Sequence, residues 1–161
     1  VTLTPQSAHS AGIVMTRLEY TGLNQVGGPI EKEGRLKYID GCTDTLLVAP
    51  PRKGDACLNL LHFPPGIDQT SHSHPSLRCG VVASGRGVCV GDSGTLQLET
   101  GMGFMIPAGA MHKFQTDDSS MSVIAYHPDS DFGPEDDDHP MINRTIVAGQ
   151  SARFNREIRT R

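Results

Sequence analysis

Short apolar runs, bounded by turn signals, follow one another through most of the chain. Many of them alternate apolar and polar positions, and a period of two is typical of half-buried β-strands. No stretch has the 3.6-residue period of an amphipathic helix, so the pattern predicts an all-β protein. The predicted strands are Leu46–Ala49, Ala56–Phe63, Gln69–His74, Cys79–Ala83, Gly87–Val90, Gly94–Glu99, Gly103–Ile106, His112–Gln115 and Met121–His127.

Glycine and proline, of which the chain has 18 and 11, concentrate between these runs. The segments Pro50-Pro51, Pro64-Pro65-Gly66, Ser84-Gly85-Arg86-Gly87 and Gly91-Asp92-Ser93-Gly94 are each composed of residues that favour turns. Many short strands joined in this way indicate a sandwich or a jelly-roll-like barrel. A chain of 161 residues is long enough to bury one substantial core.

We therefore expect a single domain over residues 1–161, with its barrel core at about 44–128. An N-terminal arm at 1–43 contains two possible extra strands, Ile13–Tyr20 and Leu36–Ile39. The remaining part of the chain, 129–161, is predicted to be a C-terminal arm. This arm begins with an acidic, proline-bearing segment, and its basic end from Arg153 to Arg161 is predicted to be a solvated tail.

Composition narrows the classes of function. With 14 basic and 18 acidic residues the formal net charge is −4, and no basic stripe stands out, so nucleic acid is not an expected partner. No apolar stretch is long enough to span a membrane, and no secretory signal is visible. The cysteines Cys42, Cys57, Cys79 and Cys89 have no C-x-x-C spacing, so we expect free thiols in a reducing, cytoplasmic compartment.

Three histidines are the strongest chemical signal. His72 and His74 lie two positions apart, so on a strand their side chains point to the same face. His112 follows in a later strand and supplies a third imidazole. Three neutral nitrogen donors on one face hold Fe, Mn, Ni, Cu or Zn while leaving coordination positions open. The histidines His72, His74 and His112 are therefore the predicted metal ligands.

The residues around these histidines strengthen this interpretation. The first run contains Gly66, His72, His74, Arg78 and Gly85, and the second contains Gly101, Pro107, Gly109, His112 and Thr116. Their spacings resemble the two motifs of the cupin superfamily, G-x5-H-x-H-x3-4-E-x6-G and G-x5-P-x-G-x2-H-x3-N. The resemblance covers roughly 44–128 and implies the cupin double-stranded β-helix. It also implies a homodimer, because cupins frequently share strands between subunits.

Two positions depart from the cupin pattern: Arg78 occupies the usual place of a glutamate ligand, and Thr116 the usual place of an asparagine. A guanidinium cannot be deprotonated and so cannot bind a cation. Directed at the wall of the pocket, it could hold an anionic substrate in a bidentate pair. The alternative is that Arg78 points outward and only solvates a strand edge.

Cys79 competes with Arg78 for the glutamate position, since the family tolerates four residues after the second histidine. That spacing is similar to the one in cysteine dioxygenase, a three-His iron cupin in which a cysteine near the iron is linked to a tyrosine. Tyr126 is the only plausible partner for such a link here.

Three-His cupins without the glutamate resemble non-haem iron dioxygenases, so the resemblance implies Fe(II), O2 and a small carboxylate or diketone substrate. Zn, Ni, Mn and Cu remain alternative metals. Arg78 is the candidate anion partner, and Tyr126 and His62 are candidate proton relays; His62 shares one face of its strand with Leu58 and Leu60. A metal-dependent isomerase, cyclase or lyase, and a non-catalytic binding protein, remain open. His9, His127 and His139 are not expected to be ligands.

Overall fold

A computed structural model describes residue 4 and residues 6–10, 12–22 and 24–159. The strands in this part of the chain are β1 (Leu36–Lys37), β2 (Thr43–Val48), β3 (Cys57–Phe63), β4 (Arg78–Gly91), β5 (Gly94–Glu99), β6 (Gly103–Ile106), β7 (His112–Gln115), β8 (Met121–His127), β9 (Ile146–Val147) and β10 (Gln150–Ser151), and the α-helix α1 spans Pro140–Arg144. Short 3-10 turns lie at Ile39–Gly41, Ala152–Phe154 and Arg156–Ile158. The predicted all-β class is confirmed.

The long strand β4 joins the two halves of the barrel. Its first part pairs antiparallel with β8 and β6, from Cys79↔Tyr126 and Arg78↔Ile106 onward. Its second part pairs antiparallel with β5 and β7. The path β1-β2-β3-β8-β4-β5 therefore continues from one face of the barrel to the other along a single strand.

The interior is filled by apolar side chains from both halves. Phe63 and Met121 have no exposed surface, and Phe104 and Phe114 pack edge to face with ring centroids 5.8 Å apart. Aromatic pairs in this arrangement add to the free energy of burial. Leu98, from the second half, is equally buried, so the two halves share one core.

The predicted reversal at Ser84–Gly87 is wrong, because β4 passes through this segment without turning back. The register with β8 shifts between Val82 and Ser84, and Gly85 has φ +77°. A Cβ at Gly85 would lie 1.9 Å from the carbonyl oxygen of Ser120. Glycine therefore serves here to bring two backbones together while the strand bends, and the two predicted strands are one.

The other strands follow the predictions to different degrees. β5, β6, β7 and β8 have the predicted bounds, and β3 begins one residue later than predicted. The predicted strand Gln69–His74 is absent as a ladder; only the isolated bridges Asp68↔Gln115 and His72↔His112 remain in this region. The ladder is interrupted because the N–H of Thr70 donates to the carboxylate of Asp40, at 2.6 Å, rather than to β7.

The two arms differ from the expectations as well. Ile13–Tyr20 forms no strand, although Met15 reaches Cys79 with its sulfur and Arg17 donates to the carbonyl of Pro128 at 2.9 Å. Leu36–Ile39 is a strand only over β1, and β2 begins before its predicted start. Residues 1–3, 5, 11 and 23 of the predicted N-terminal arm lie outside the described residues.

The basic end of the C-terminal arm is largely exposed, as a solvated tail would be, but short 3-10 turns and contacts with the rest of the arm order part of it. Ala152 is buried, and Arg159 donates to the carbonyl of Asp136. His139 caps α1 by accepting from the N–H of Met141 at 3.1 Å, so this histidine has a local structural role. The last two residues of the predicted tail, 160 and 161, lie outside the described residues. None of the described helices has the length and apolar character needed to cross a membrane.

Candidate metal centre and cavity

The structure brings together all three predicted ligands. One ring nitrogen of each of His72, His74 and His112 lies within 4.8 Å of the other two. The ring centroids of His72 and His112 are 4.6 Å apart, and those of His74 and His112 are 5.2 Å apart. His112 is buried, whereas the other two are half-buried, so the cluster opens toward one side.

Main-chain hydrogen bonds hold the two motifs against each other. The N–H of His72 donates to the carbonyl of His112, and the N–H of His112 donates to the carbonyl of His72, both at 2.9 Å. The N–H of Gly109 donates to the carbonyl of His74 at 2.8 Å. Gly109 has φ +75°, a conformation that glycine adopts without strain, and this turn sets the register in which His112 meets its partners.

The hydrogen bonds of the imidazoles fit a metal site. Nδ1 of His72 lies 2.8 Å from the carbonyl of Thr70, and Nδ1 of His112 lies 3.0 Å from the carbonyl of Ala110. A carbonyl only accepts, so Nδ1 carries the proton in each ring and Nε2 keeps its lone pair. This is the tautomer and support that metal-binding histidines have in other proteins. The donor set therefore fits a divalent transition metal.

The environment of His74 and His112 favours their neutral forms. Burial, with the positive charge of Arg78 as the next cause, lowers the pKa of His74 to about 4. Burial likewise lowers the pKa of His112. Metal binding requires neutral imidazole, so protons compete weakly with a metal at neutral pH.

His74 and His127 give the metal-free protein a defined pH dependence. Burial lowers the pKa of each imidazole in the folded protein to about 4, from the ordinary histidine value of 6.5. The unfolded chain therefore binds more protons between these values, and the free energy of unfolding falls as the pH is lowered from about 6.5 to 4. Denaturant titrations should show this loss, with His127 contributing about 1 kcal/mol after allowance for its partial solvation. A His127→Gln variant should lose less stability over this range; an equal or larger loss would contradict the assignment.

The three histidines form part of the wall of a cavity of about 320 Å³. A space of this size accommodates a small organic molecule. Apolar side chains, among them Ile106, Phe114 and Val123, line much of it. The polar groups that share the cavity with the histidines are Lys37, Tyr38, Asp44, Asn59, Gln69, Arg78 and His127.

Arg78 lines the cavity. Its Nη1 donates to the hydroxyl of Ser76 at 2.6 Å and to the carbonyl of Leu77 at 3.0 Å. Its Nε is buried and has no hydrogen-bond partner among the described residues. Arg78 also forms no ion pair within the described part of the chain. The alternative in which it only solvates a strand edge is therefore wrong, and the cavity contains a positive charge without a direct ion pair in the described part of the chain.

A polar chain positions this guanidinium. The hydroxyl of Ser76, which accepts from Arg78, donates in turn to the carboxylate of Asp129 at 2.5 Å. Asp129 belongs to the segment after β8, so part of the C-terminal arm supports the cavity wall. The negative charge of Asp129 acts on Arg78 through one intervening hydroxyl, and Nη2 of the guanidinium makes no hydrogen bond within the described residues.

Cys79 does not take the glutamate position. Successive side chains of a strand point to opposite faces, and Arg78 takes the cavity face of β4. Cys79 instead contacts the sulfur of Met15 in the N-terminal arm. Tyr126 is opposite Cys79 in the pairing of β4 with β8, and it does not line the cavity. The similarity to cysteine dioxygenase therefore does not extend to this pair, and the position of Tyr126 gives no support to its predicted role as a proton relay.

His62 is also outside the cavity. The residues of β3 that line it are Asn59 and Leu61, which alternate with His62. The imidazole of His62 instead hydrogen-bonds the hydroxyl of Ser122 at 3.0 Å and is buried. His62 does lie on the same face of β3 as Leu58 and Leu60, as expected. The cavity, however, is lined by the opposite face of this strand.

Several cavity residues were not predicted. Asp44 and Asn59 lie together, with Nδ2 of Asn59 3.0 and 2.9 Å from the two carboxylate oxygens of Asp44. Burial raises the pKa of Asp44 despite this hydrogen bond. His127, which was not expected to be a ligand, lines the cavity without belonging to the three-His cluster. The sequence did contain a signal for Asn59. It lies next to the buried Leu60 in β3, so its polar side chain points to the opposite face of this strand, which is the face that lines the cavity.

The fold and the site define a β-barrel protein with a three-histidine candidate metal centre. Residues 59–127 match the family model described as a cupin domain. This segment of the chain is therefore similar to a cupin domain in sequence as well as in fold. The resemblance stated from the sequence is confirmed, as is the cupin form of the all-β fold.

Solved structures with similar folds support the cupin form of the fold. A cupin-like protein from Thermotoga maritima is 20% identical, with 66% of this chain and 86% of that chain covered and a TM-score of 0.55. A Cupin 2 conserved barrel domain protein from Salinispora arenicola is 18% identical, with coverages of 65% and 88% and a TM-score of 0.52.

A third similar chain comes from the crystal structures of the DMSP lyases RdDddP and RnDddQII. It is 21% identical, with 58% of this chain covered and a TM-score of 0.51, and the chain spans 50% of that lyase chain. At these identities the similarities establish the fold alone. Comparison with curated protein sequences gives no match.

Proposed function

We propose that the protein is a metal-dependent enzyme that acts on a small anionic organic substrate. The observation that carries this proposal is the presence of Arg78, without an ion-pair partner among the described residues, in the same cavity as the three histidines. Arg78 is half-buried, and a partly desolvated cation without a direct ion pair is stabilised by a ligand that supplies the opposite charge. A carboxylate or an enolate satisfies the guanidinium in the geometry that arginine favours.

Each part of the cavity has a defined task in this proposal. His72, His74 and His112 would hold the metal, which when bound supplies redox or Lewis-acid chemistry. Arg78 orients the anionic end of the substrate, and Ser76 fixes the guanidinium. Phe104, together with other apolar wall residues, excludes water, which strengthens the interaction between opposite charges.

The first candidate reaction is O2-dependent oxidation with Fe(II). Arg78 occupies the usual position of the glutamate ligand, and three-His cupins without that glutamate resemble non-haem iron dioxygenases. The test loads the protein with Fe(II) under anaerobic conditions and then follows O2 uptake with small carboxylates and diketones. Stoichiometric O2 uptake with product formation supports the dioxygenase. Absence of uptake, together with product formation from the same substrates under anaerobic conditions, would contradict it.

The second candidate is a lyase or isomerase that works without O2. Asp44 favours it, since this carboxylate lines the cavity and burial raises its pKa, which makes it a stronger proton acceptor. The fold also supports lyase chemistry in the DMSP lyases. Saturable ligand affinity without product under either condition would indicate a binding protein instead.

Substitution of Arg78 tests the anion partner. Arg78→Gln should weaken the binding of an anionic ligand by about 10- to 100-fold, because a charged hydrogen bond contributes about 1.5 to 3 kcal/mol. Arg86→Gln is the matched control: Arg86 lies on the same strand but pairs with Asp118, and it does not line the cavity. Equal affinities of the Arg78 and Arg86 variants, measured by calorimetry with the metal-loaded protein, would remove Arg78 from ligand recognition.

A further inference from the structure

The cavity contains a carboxylate as well as a guanidinium. Asp44 lies on β2 and is held by Nδ2 of Asn59, which donates to both of its oxygens. Within the described residues Asp44 makes no ion pair with lysine, arginine or histidine. An amide orients a carboxylate without neutralising it, so the negative charge of Asp44 stays available to a ligand.

Asp44 and Arg78 do not neutralise each other, and Lys37, a third charged residue that lines the cavity, makes no ion pair with Asp44 either. Asp44 and Arg78 form no ion pair, although both side chains line the same space. Three strand spacings separate β2 from β4 along the sheet, roughly 14 Å measured along its curve and less straight across the barrel. The two opposite charges therefore line one cavity without forming an ion pair, and a small ligand can lie between them.

The group that faces Asp44 must be able to replace the water that this carboxylate loses on burial. A protonated amine supplies both a positive charge and hydrogen-bond donors. Tyr38 also lines the cavity, and the charge of Asp44 contributes to the raised pKa of its phenol, after burial, so the ring lies close enough for the two groups to interact. An aromatic ring beside a carboxylate favours a cation over a neutral hydroxyl.

We propose that the substrate is a small zwitterion whose carboxylate is bound by Arg78 and whose ammonium group is bound by Asp44, with Asn59 orienting the Asp44 carboxylate. This inference rests on the proposed function, because it takes the three-His cavity to be the substrate site. The inference adds Asp44 as a second recognition group and states that the end of the substrate that it binds is positively charged. Selectivity then comes from the match of both ends, since a simple acid leaves Asp44 desolvated and unpaired.

The test compares acids that differ only at the end remote from the carboxylate. Zinc-loaded protein is titrated with the ω-amino acids from β-alanine to δ-aminovalerate, and with the corresponding ω-hydroxy and ω-methyl acids of equal chain length. Binding is followed by calorimetry and by ligand-observed NMR. The best-fitting ω-amino acid should bind about tenfold more tightly than its ω-methyl counterpart, because only the amine pairs with Asp44.

Substitutions separate the two ends of the ligand. Asp44→Asn should remove the preference for the amine, because the ω-amino acid loses its partner and the ω-methyl acid no longer leaves a carboxylate unpaired, whereas Asp44→Glu should keep the preference. Asp68→Asn is the matched control, since Asp68 pairs with Lys113 and does not line the cavity. Thermal melts of all variants establish that each is folded before its affinities are compared.

The outcomes distinguish this inference from the proposed function. If the ω-methyl or ω-hydroxy acid binds as tightly as the ω-amino acid, the zwitterion inference is overturned while anion binding stands. If the preference persists in Asp44→Asn, the amine is recognised elsewhere, and the inference is overturned as well. If none of the acids binds the zinc-loaded protein, the anionic substrate is wrong and the proposed function fails with it.

Discussion

Replacing His112 by alanine is expected to lower the affinity for a divalent metal by at least about 100-fold. Loss of a group that only supports a ligand already costs 10- to 100-fold, and His112 is a predicted ligand itself. Among the three histidines of the cluster, His112 is the buried one, and the hydrogen bond from its Nδ1 to the carbonyl of Ala110 orients its ring. Metal titrations by calorimetry, followed by elemental analysis after desalting, measure the effect. His72→Ala and His74→Ala should show losses of similar size.

Two other histidines provide the controls for this prediction. His127 lines the same cavity without belonging to the cluster. His139 caps α1 and is neither in the cluster nor among the residues that line the cavity. His127→Gln and His139→Ala should keep metal affinity within a few-fold of the original protein. Equal losses in the cluster and control variants would mean that the three histidines are not the ligands.

The second large effect is expected at Gly85, which determines how β4 passes from one half of the barrel to the other. A Cβ there would lie 1.9 Å from the carbonyl oxygen of Ser120 and 3.1 Å from Cα of Met121. Both contacts are with backbone, so no side chain can move away to relieve them. Together with φ of +77°, this should make Gly85→Ala lower the free energy of unfolding by about 3 kcal/mol.

Gly66 is the matched control for Gly85. Its φ is +75°, nearly the same, but a Cβ at this position would meet nothing within 4 Å. Gly66→Ala should therefore cost only the backbone strain, about 1 kcal/mol. Urea denaturation of both variants measures the difference. Equal destabilisation by the two substitutions would show that the close approach of β4 to Ser120 does not limit residue 85.

The strands β5 to β8 were predictable because the alternation of side chains and the positions of turn residues agree in this part of the sequence. For β5 to β8, alternation and flanking turn residues point to the same bounds that the structure has. The failure at Ser84–Gly87 has a different origin. Glycine favours both chain reversal and the close approach of two backbones, and composition alone does not separate these uses. Only the pairing of β4 with β8 on one side and β5 on the other distinguishes them.

The candidate site was predictable where spacing determines geometry. His72 and His74 are two residues apart, and the turn at Gly109 brings His112 to them, so the cluster follows from the sequence. Asp44 was not found, because its place in the cavity depends on the neighbouring strand and the side chain of Asn59.

His62 shows the limit of alternation as a guide. The period of two assigns residues correctly to two faces, but both faces of β3 contain buried residues. The choice between them depends on which face meets β4 and the histidines across the barrel. The same ambiguity left Arg78 and Cys79 as competitors, and strand pairing resolved it in favour of Arg78.

X-ray absorption spectroscopy of the metal-loaded protein tests the central claim most directly, because it reports the number and type of donor atoms. With zinc we predict one site with three imidazole nitrogens at about 2.0 to 2.1 Å, completed by oxygen from solvent. No sulfur scatterer should be present at about 2.3 Å, since Cys79 faces the N-terminal arm. A sulfur ligand, fewer than three imidazoles, or a metal lost on desalting would contradict the three-histidine centre.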